Sequence, residues 1–169
     1  TFSWGVPGER QIFLATAGNL ATTQAVVSTL SEQTKAADER DPSILHAPTM
    51  FQVARIVSHT LSEVIGSSAP GQQVADSAFS ATMILGGQIK SGEMRLYLIY
   101  PEGNFIEVSD DNPFFQIGET KYGRPILVRA FDPEMEFHDA IKLLMVSFDS
   151  TIKANLSVGL PLDIRIYHK

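Results

Sequence analysis

The chain has 169 residues, 44% of them hydrophobic, 19% charged and 9% aromatic, which suits one globular domain with a substantial core. Its net charge of −6 excludes a general nucleic-acid binder, which needs a basic stripe to neutralise phosphates. With no cysteine it has no disulfide, thiolate metal site or cysteine nucleophile; no apolar run approaches the roughly 20 residues that span a bilayer.

The opening, Thr1-Phe2-Ser3-Trp4-Gly5-Val6-Pro7-Gly8, reads as a loop without strand alternation, ending in a Pro-Gly turn. Gln11 to Thr16 is the short apolar run of a buried strand. It ends at Ala17-Gly18-Asn19, after which Leu20, Val26, Val27 and Leu30 recur at helical spacing to about Ala37. Asp38-Glu39-Arg40-Asp41 and Ser109-Asp110-Asp111 are short enough to be solvated loops. Beyond Pro42 and Pro48, Thr49 is placed to cap a second helix whose inner stripe is Val53, Ala54, Val57, Leu61, Val64 and Ile65, ended by Gly66-Ser67-Ser68. Ala69-Pro70-Gly71 then opens a loop.

The middle is β. Phe79 to Leu85 alternates until Gly86-Gly87 interrupts; Met94 to Tyr100 alternates again; the turn Pro101-Glu102-Gly103-Asn104 leads into Phe105 to Val108. These strands predict an antiparallel meander, with a fourth short strand at Phe114 to Ile117. A short helix follows near Arg124 to Ala130. A longer one opens at Asp132-Pro133 and runs to about Ala154, with Phe137, Ile141, Leu144, Met145, Phe148 and Ile152 as its apolar stripe. Leu162 to Tyr167 is expected as a last strand.

Paired helices and runs of strands exclude βαβ winding. They predict an α+β fold, a four-layer α-β-β-α sandwich of antiparallel sheets in a single domain over residues 1–169. Strands apolar on both faces fit a sheet between helices and a second sheet.

Conventional catalytic patterns are absent: there is no G-x-S-x-G, no Walker A and no dinucleotide fingerprint. His46, His59, His138 and His168 are spaced too far apart for a metal-ligand pair, which disfavours a His-dependent hydrolase or a zinc enzyme. The strand-to-helix turn at Gly18 has two readings. Glycine simply makes the turn, or it lets a ligand approach a backbone N–H beside a helix N-terminus, where partial positive charge favours a developing oxyanion.

The segment Thr16-Ala17-Gly18-Asn19-Leu20-Ala21-Thr22-Thr23-Gln24 resembles the strand–Ala-Gly–helix stretch of proteasome β-type subunits, and its wording resembles the bacterial proteasome-related Anbu (ancestral beta subunit) family. Leu96 to Ile106, Gln116 to Leu127, and Val146 to Asp163 are similar in register, so the likeness covers essentially the whole chain. It implies an N-terminal-nucleophile peptidase in which the first mature residue's hydroxyl attacks, its own amine is the base, and the Gly18 N–H holds the oxyanion.

That likeness carries further expectations. The nucleophile, its helper acid and its lysine are expected on strands preceding this sequence, making Thr1 an internal loop residue and not the nucleophile. Thr16 and Leu20 flank the pocket for the substrate side chain. Glu119 or Thr120 stands where a supporting serine is found, and Asn155 and Ser157 stand where a carboxylate and a serine are found, able to orient an amine by hydrogen bonds. The implied partners are a peptide or protein substrate and further copies of the chain in a ring or open spiral, with no nucleic acid, no membrane and no metal or organic cofactor, in a cytoplasmic setting. Two alternatives stay open: a catalytically inactive assembly subunit, and an amide-forming acyltransferase on the same fold.

Overall fold

The computed structural model describes residues 1–35, 43–68 and 78–167, in two units, Thr1–Ile117 and Gly118–Lys169. The expectations for the end of the first helix, the acidic run at 38–41, the loop opening at Ala69 and His168 lie outside the described residues.

In the first unit β1 (Phe2–Val6) and β2 (Arg10–Gly18) form a hairpin, with Phe2 opposite Leu14 and Trp4 opposite Ile12. This corrects the expected loop: alternation is present, with Phe2 and Trp4 packed on the core while Ser3 and Gly5 turn outward. Helices α1 (Leu20–Lys35) and α2 (Met50–Ser68) follow. Thr49 caps α2 as expected, its Oγ1 accepting the Gln52 N–H at 3.2 Å. Gly66-Ser67-Ser68 forms the last turn of α2, where the helix was expected to end.

Strands β3 (Ala81–Ile89), β4 (Arg95–Ile99) and β5 (Phe105–Glu107) complete an antiparallel five-stranded sheet in the order β1-β2-β3-β4-β5. Gly86-Gly87 does not interrupt β3. The strands run so close that a Cβ at Gly87 would strike the Gln11 carbonyl, so glycine permits the ladder to continue. One face of the sheet, Ile12, Leu14, Met83, Leu85, Tyr97 and Ile99, is buried together with Val26 and Leu30 of α1 and Val53, Val57, Leu61 and Ile65 of α2. Each such side chain contributes about 1.5–3 kcal/mol of burial free energy. Burial also pushes the Tyr97 phenol above its ordinary pKa. The opposite face carries Phe13, Ala15, Ile84, Leu96 and Leu98, half-buried. Of the expected α-β-β-α layers, the first unit holds one helical layer and one antiparallel sheet, which gives the chain its α+β class.

Arg10 ties β2 to the turn before α2. It is 8% exposed, and its Nη1 donates to the carbonyls of Ile44 and Ala47 at 3.2 and 2.9 Å while Nη2 meets Glu9 at 3.0 Å.

The second unit holds α3 (Arg124–Ala130) and α4 (Phe137–Ala154). Helix α4 begins later than expected. Asp132 accepts the Glu134 N–H at 2.9 Å and so closes an isolated turn, after which Glu136 adopts extended geometry. The expected apolar stripe is not the buried one: Phe137, Leu144, Met145 and Phe148 are exposed, whereas Ser147 and Thr151 are buried. Phe114 to Ile117 and Leu162 to Tyr167 form no strand, because neither run finds a ladder partner among the described residues. No described helix is long and apolar enough to cross a membrane.

Candidate active site

The turn that ends β2 is built by Gly18 and Asn19. Gly18 has φ +110°, a conformation that L side chains rarely adopt, and a Cβ there would lie 2.5 Å from the Ser80 carbonyl oxygen and 2.9 Å from Ala81 Cα. Only glycine fits both the torsion and the space. Asn19 then caps α1: its Oδ1 accepts the Thr22 N–H at 3.0 Å, and its Nδ2 donates to the Ala78 carbonyl at 2.9 Å. Thr22 Oγ1 donates to the Phe79 carbonyl at 2.7 Å, a second tie to the start of β3. Sequence reasoning passed over Asn19 and Thr22, although an Asn immediately before a helical run is itself a cap signal.

Ladder parity fixes where the Gly18 N–H points. Lys90 N–H donates to Glu9 O, and Asn19 N–H to Ser80 O at 2.9 Å, so odd-numbered residues of β2 exchange hydrogen bonds with β3. By antiparallel alternation the even-numbered residues turn their N–H groups to the other flank. There β1 reaches only as far as Phe2 opposite Leu14. Thr16 and Gly18 therefore direct backbone groups to a flank that no described strand pairs, beside the positive end of α1. Thr16, opposite Met83, is half-buried; Leu20, the first residue of α1, is 68% exposed. Thr1 falls beside Ala15, three residues short of Gly18, about 10 Å along the strand. That is too far for its hydroxyl to attack a carbonyl whose oxygen rests on the Gly18 N–H.

In the second unit the loop after Gly118 meets the end of α4. Asn155 Nδ2 donates to Glu119 Oε2 at 2.7 Å, and the other carboxylate oxygen accepts the Lys121 N–H at 2.8 Å. Ser157 donates twice to Asn155 Oδ1, from its backbone N–H at 2.8 Å and its hydroxyl at 2.6 Å. Glu119, Asn155 and Ser157, singled out separately in the sequence, thus form one hydrogen-bonded chain. Thr120 does not join it; its carbonyl accepts the Arg124 N–H at 3.0 Å and starts α3. The chain is rich in acceptors: a carboxylate, an amide oxygen and a hydroxyl lone pair, the combination that suits an ammonium group. Among the described residues no group of His, Cys, Asp or Glu is arranged to hold a metal ion.

A family model described as proteasome subunit matches residues 9–165. Among solved structures the chain is similar to Anbu (ancestral beta-subunit) from Yersinia bercovieri, at 41% identity and a TM-score of 0.90 over 98% of this chain and 67% of that one. It is similar to Anbu from Hyphomicrobium sp. strain MC1, at 47% identity and a TM-score of 0.84 over 95% and 65% of the two chains. A third match, the helical assembly of the Anbu complex from Pseudomonas aeruginosa, has 42% identity and a TM-score of 0.89 over 99% and 68%. No curated protein matches the sequence. The chain spans about two thirds of the length of the structures it matches. It belongs to the proteasome subunit family and, within that family, to the Anbu (ancestral beta-subunit) proteins.

Proposed function

We propose that the chain is part of a peptidase subunit that hydrolyses peptide amide bonds through the hydroxyl of an N-terminal Thr or Ser other than Thr1, acting in the cytoplasm as a homo-oligomer. The observation that carries this reading is Gly18. It places a backbone N–H on a flank of β2 that no described strand pairs, beside a helix N-terminus, and such donors gain strength on a developing oxyanion. The same flank offers an extended peptide backbone a strand to pair with. Thr16 and Leu20 flank the side chain before the scissile bond. The Glu119–Asn155–Ser157 chain of the second unit offers acceptors of the kind that orient an amine. In this class of enzyme the nucleophile's own amine takes the hydroxyl's proton as an acyl-enzyme forms and returns it to the departing amine. Water then releases the acid.

Asn155, neutral where this mechanism expects a carboxylate, favours the other reading, a catalytically inactive assembly subunit. Intact-mass analysis of the mature protein, before and after incubation with a peptide electrophile reactive toward a vicinal hydroxyl and amine, separates the two. The peptidase reading expects a mature N-terminal Thr or Ser and one adduct per subunit on it, with loss of peptide hydrolysis. A mature N-terminus that is neither Thr, Ser nor Cys removes the peptidase reading. An unlabelled, correctly assembled protein establishes the inactive subunit.

A further inference from the structure

The Gly18 N–H serves an oxyanion only if its direction is held, and glycine does not hold its own. At φ +110° the residue occupies a torsional region with no Cβ to confine it. On the β1 side no described strand accepts the N–H. The β2–β3 ladder fixes the chain as far as Gly18, opposite Ala81. Beyond that point the direction of the turn depends on where Asn19 and the first turn of α1 are anchored.

Consecutive carbonyls on the entry to β3 supply the anchor. Ala78 O accepts from Asn19 Nδ2 at 2.9 Å, Phe79 O from Thr22 Oγ1 at 2.7 Å, and Ser80 O from the Asn19 N–H at 2.9 Å. The last is a ladder bond open to any residue with an N–H. The first two need side chains, and helix capping explains neither. The cap is the bond from the Thr22 N–H to Asn19 Oδ1 at 3.0 Å. Ser, Thr or Asp would cap as well without carrying the amide donor. Thr22 is 2% exposed, and its hydroxyl reaches 57 residues along the chain instead of back to its own helix. Both side chains thus tie the positive end of α1 to the chain entering β3. We propose that Asn19 Nδ2 and Thr22 Oγ1 are positioning groups that hold the Gly18 N–H, and the α1 terminus beside it, on the developing oxyanion. The proposal rests on the peptidase reading. A donor fixed beforehand costs no reorganisation during reaction, and a misplacement of about 1 Å costs about 10²-fold in rate. Because the two groups act through a bond realised in the transition state, their loss falls on kcat and not on KM.

Asn19→Ser separates the two roles of that side chain: it keeps a neutral capping oxygen and loses the amide donor to Ala78 O. The test uses the full, assembled protein and a set of fluorogenic tetrapeptide amides, with fold and assembly verified by circular dichroism and size exclusion. Asn19→Ser and Thr22→Val are each expected to lower kcat about tenfold with KM within about twofold of the parent's. Thr22→Ser, which keeps the hydroxyl, recovers most of that loss. Affinity for a peptide boronate, whose tetrahedral adduct sets an oxygen where the oxyanion forms, falls about tenfold in the same two variants. Ser31→Ala is the control: it removes the 3.2 Å bond from Trp4 Nε1 far along α1 and is expected to leave kcat at the parent's value. The proposal is overturned if Asn19→Ser and Thr22→Val turn over as fast as Ser31→Ala, if the change falls on KM, or if Thr22→Ser is as slow as Thr22→Val. A parent that neither hydrolyses these peptides nor takes the boronate removes the peptidase reading, and this inference with it; an active parent with unaffected variants removes this inference alone.

Discussion

Replacing Gly18 with alanine tests whether this turn is held in a conformation that only glycine accepts. The substitution keeps the N–H, unlike proline, whose fixed φ would also destroy the turn. An alanine at φ +110° carries backbone strain of about 1–3 kcal/mol. Its Cβ, 2.5 Å from Ser80 O and 2.9 Å from Ala81 Cα, must also push two backbone groups apart. Neither neighbour is the end of a flexible side chain, so overpacking adds about 1–3 kcal/mol. The expected loss is about 3 kcal/mol, which at a urea m-value of about 2 kcal/mol/M lowers the midpoint by about 1.5 M. Gly66→Ala is the internal control. It sits in the last turn of α2 with open space around it, so alanine's helix propensity should stabilise by up to about 1 kcal/mol. Urea titration of both variants by circular dichroism decides the matter. A Gly18→Ala midpoint indistinguishable from the parent's would refute the reasoning, since torsion and contact cannot both be as described and cost nothing.

Arg10→Met should destabilise the protein by about 2–4 kcal/mol, because two carbonyls of the turn before α2 lose charge-assisted donors; urea unfolding measures it. Asn155→Ala should cost about 1–2 kcal/mol by stripping a donor from Glu119 and the acceptor from Ser157, with faster hydrogen exchange at the Ser157 amide as its local signature. The Asp139 carboxyl is held below its ordinary pKa chiefly by its hydrogen bond from Lys142, so Lys142→Ala should raise that pKa toward the usual carboxylate range in an NMR titration. The sign follows from the depression: the pair's stabilisation is present above the unfolded carboxylate pKa and fades as pH falls through the folded one. Because Asp139 and Lys142 are exposed, the parent and Lys142→Ala should unfold at closely similar urea concentrations.

The elements that local pattern determines were legible in the sequence. Both helices of the first unit, the Thr49 cap, the β3–β5 meander and the Gly18 turn follow from periodicity and turn chemistry, and the family followed from the wording around that turn. Misreadings occurred where a neighbour decides. Phe2-Ser3-Trp4 is too short to declare itself a strand until β2 lies alongside it. Gly86-Gly87 looks like a break until the closeness of β2 makes glycine the residue that fits. Phe114 to Ile117 and Leu162 to Tyr167 have strand composition without a ladder partner, and composition cannot supply one. On α4, hydrophobic spacing marked a stripe, but burial depends on what packs there, and the buried face carries Ser147 and Thr151.

By itself the sequence determined which residue types could do chemistry at the end of β2, and that Glu119 and Asn155 depart from the pattern they resemble. The tertiary structure alone decided two things. It linked Glu119, Asn155 and Ser157, 36 positions apart at their widest bond, into one hydrogen-bonded chain. It turned the Gly18 N–H away from β3 through ladder parity. Each is a relation between segments set by strand register, helix phase or chain reversal, and such relations come into being only when the chain folds.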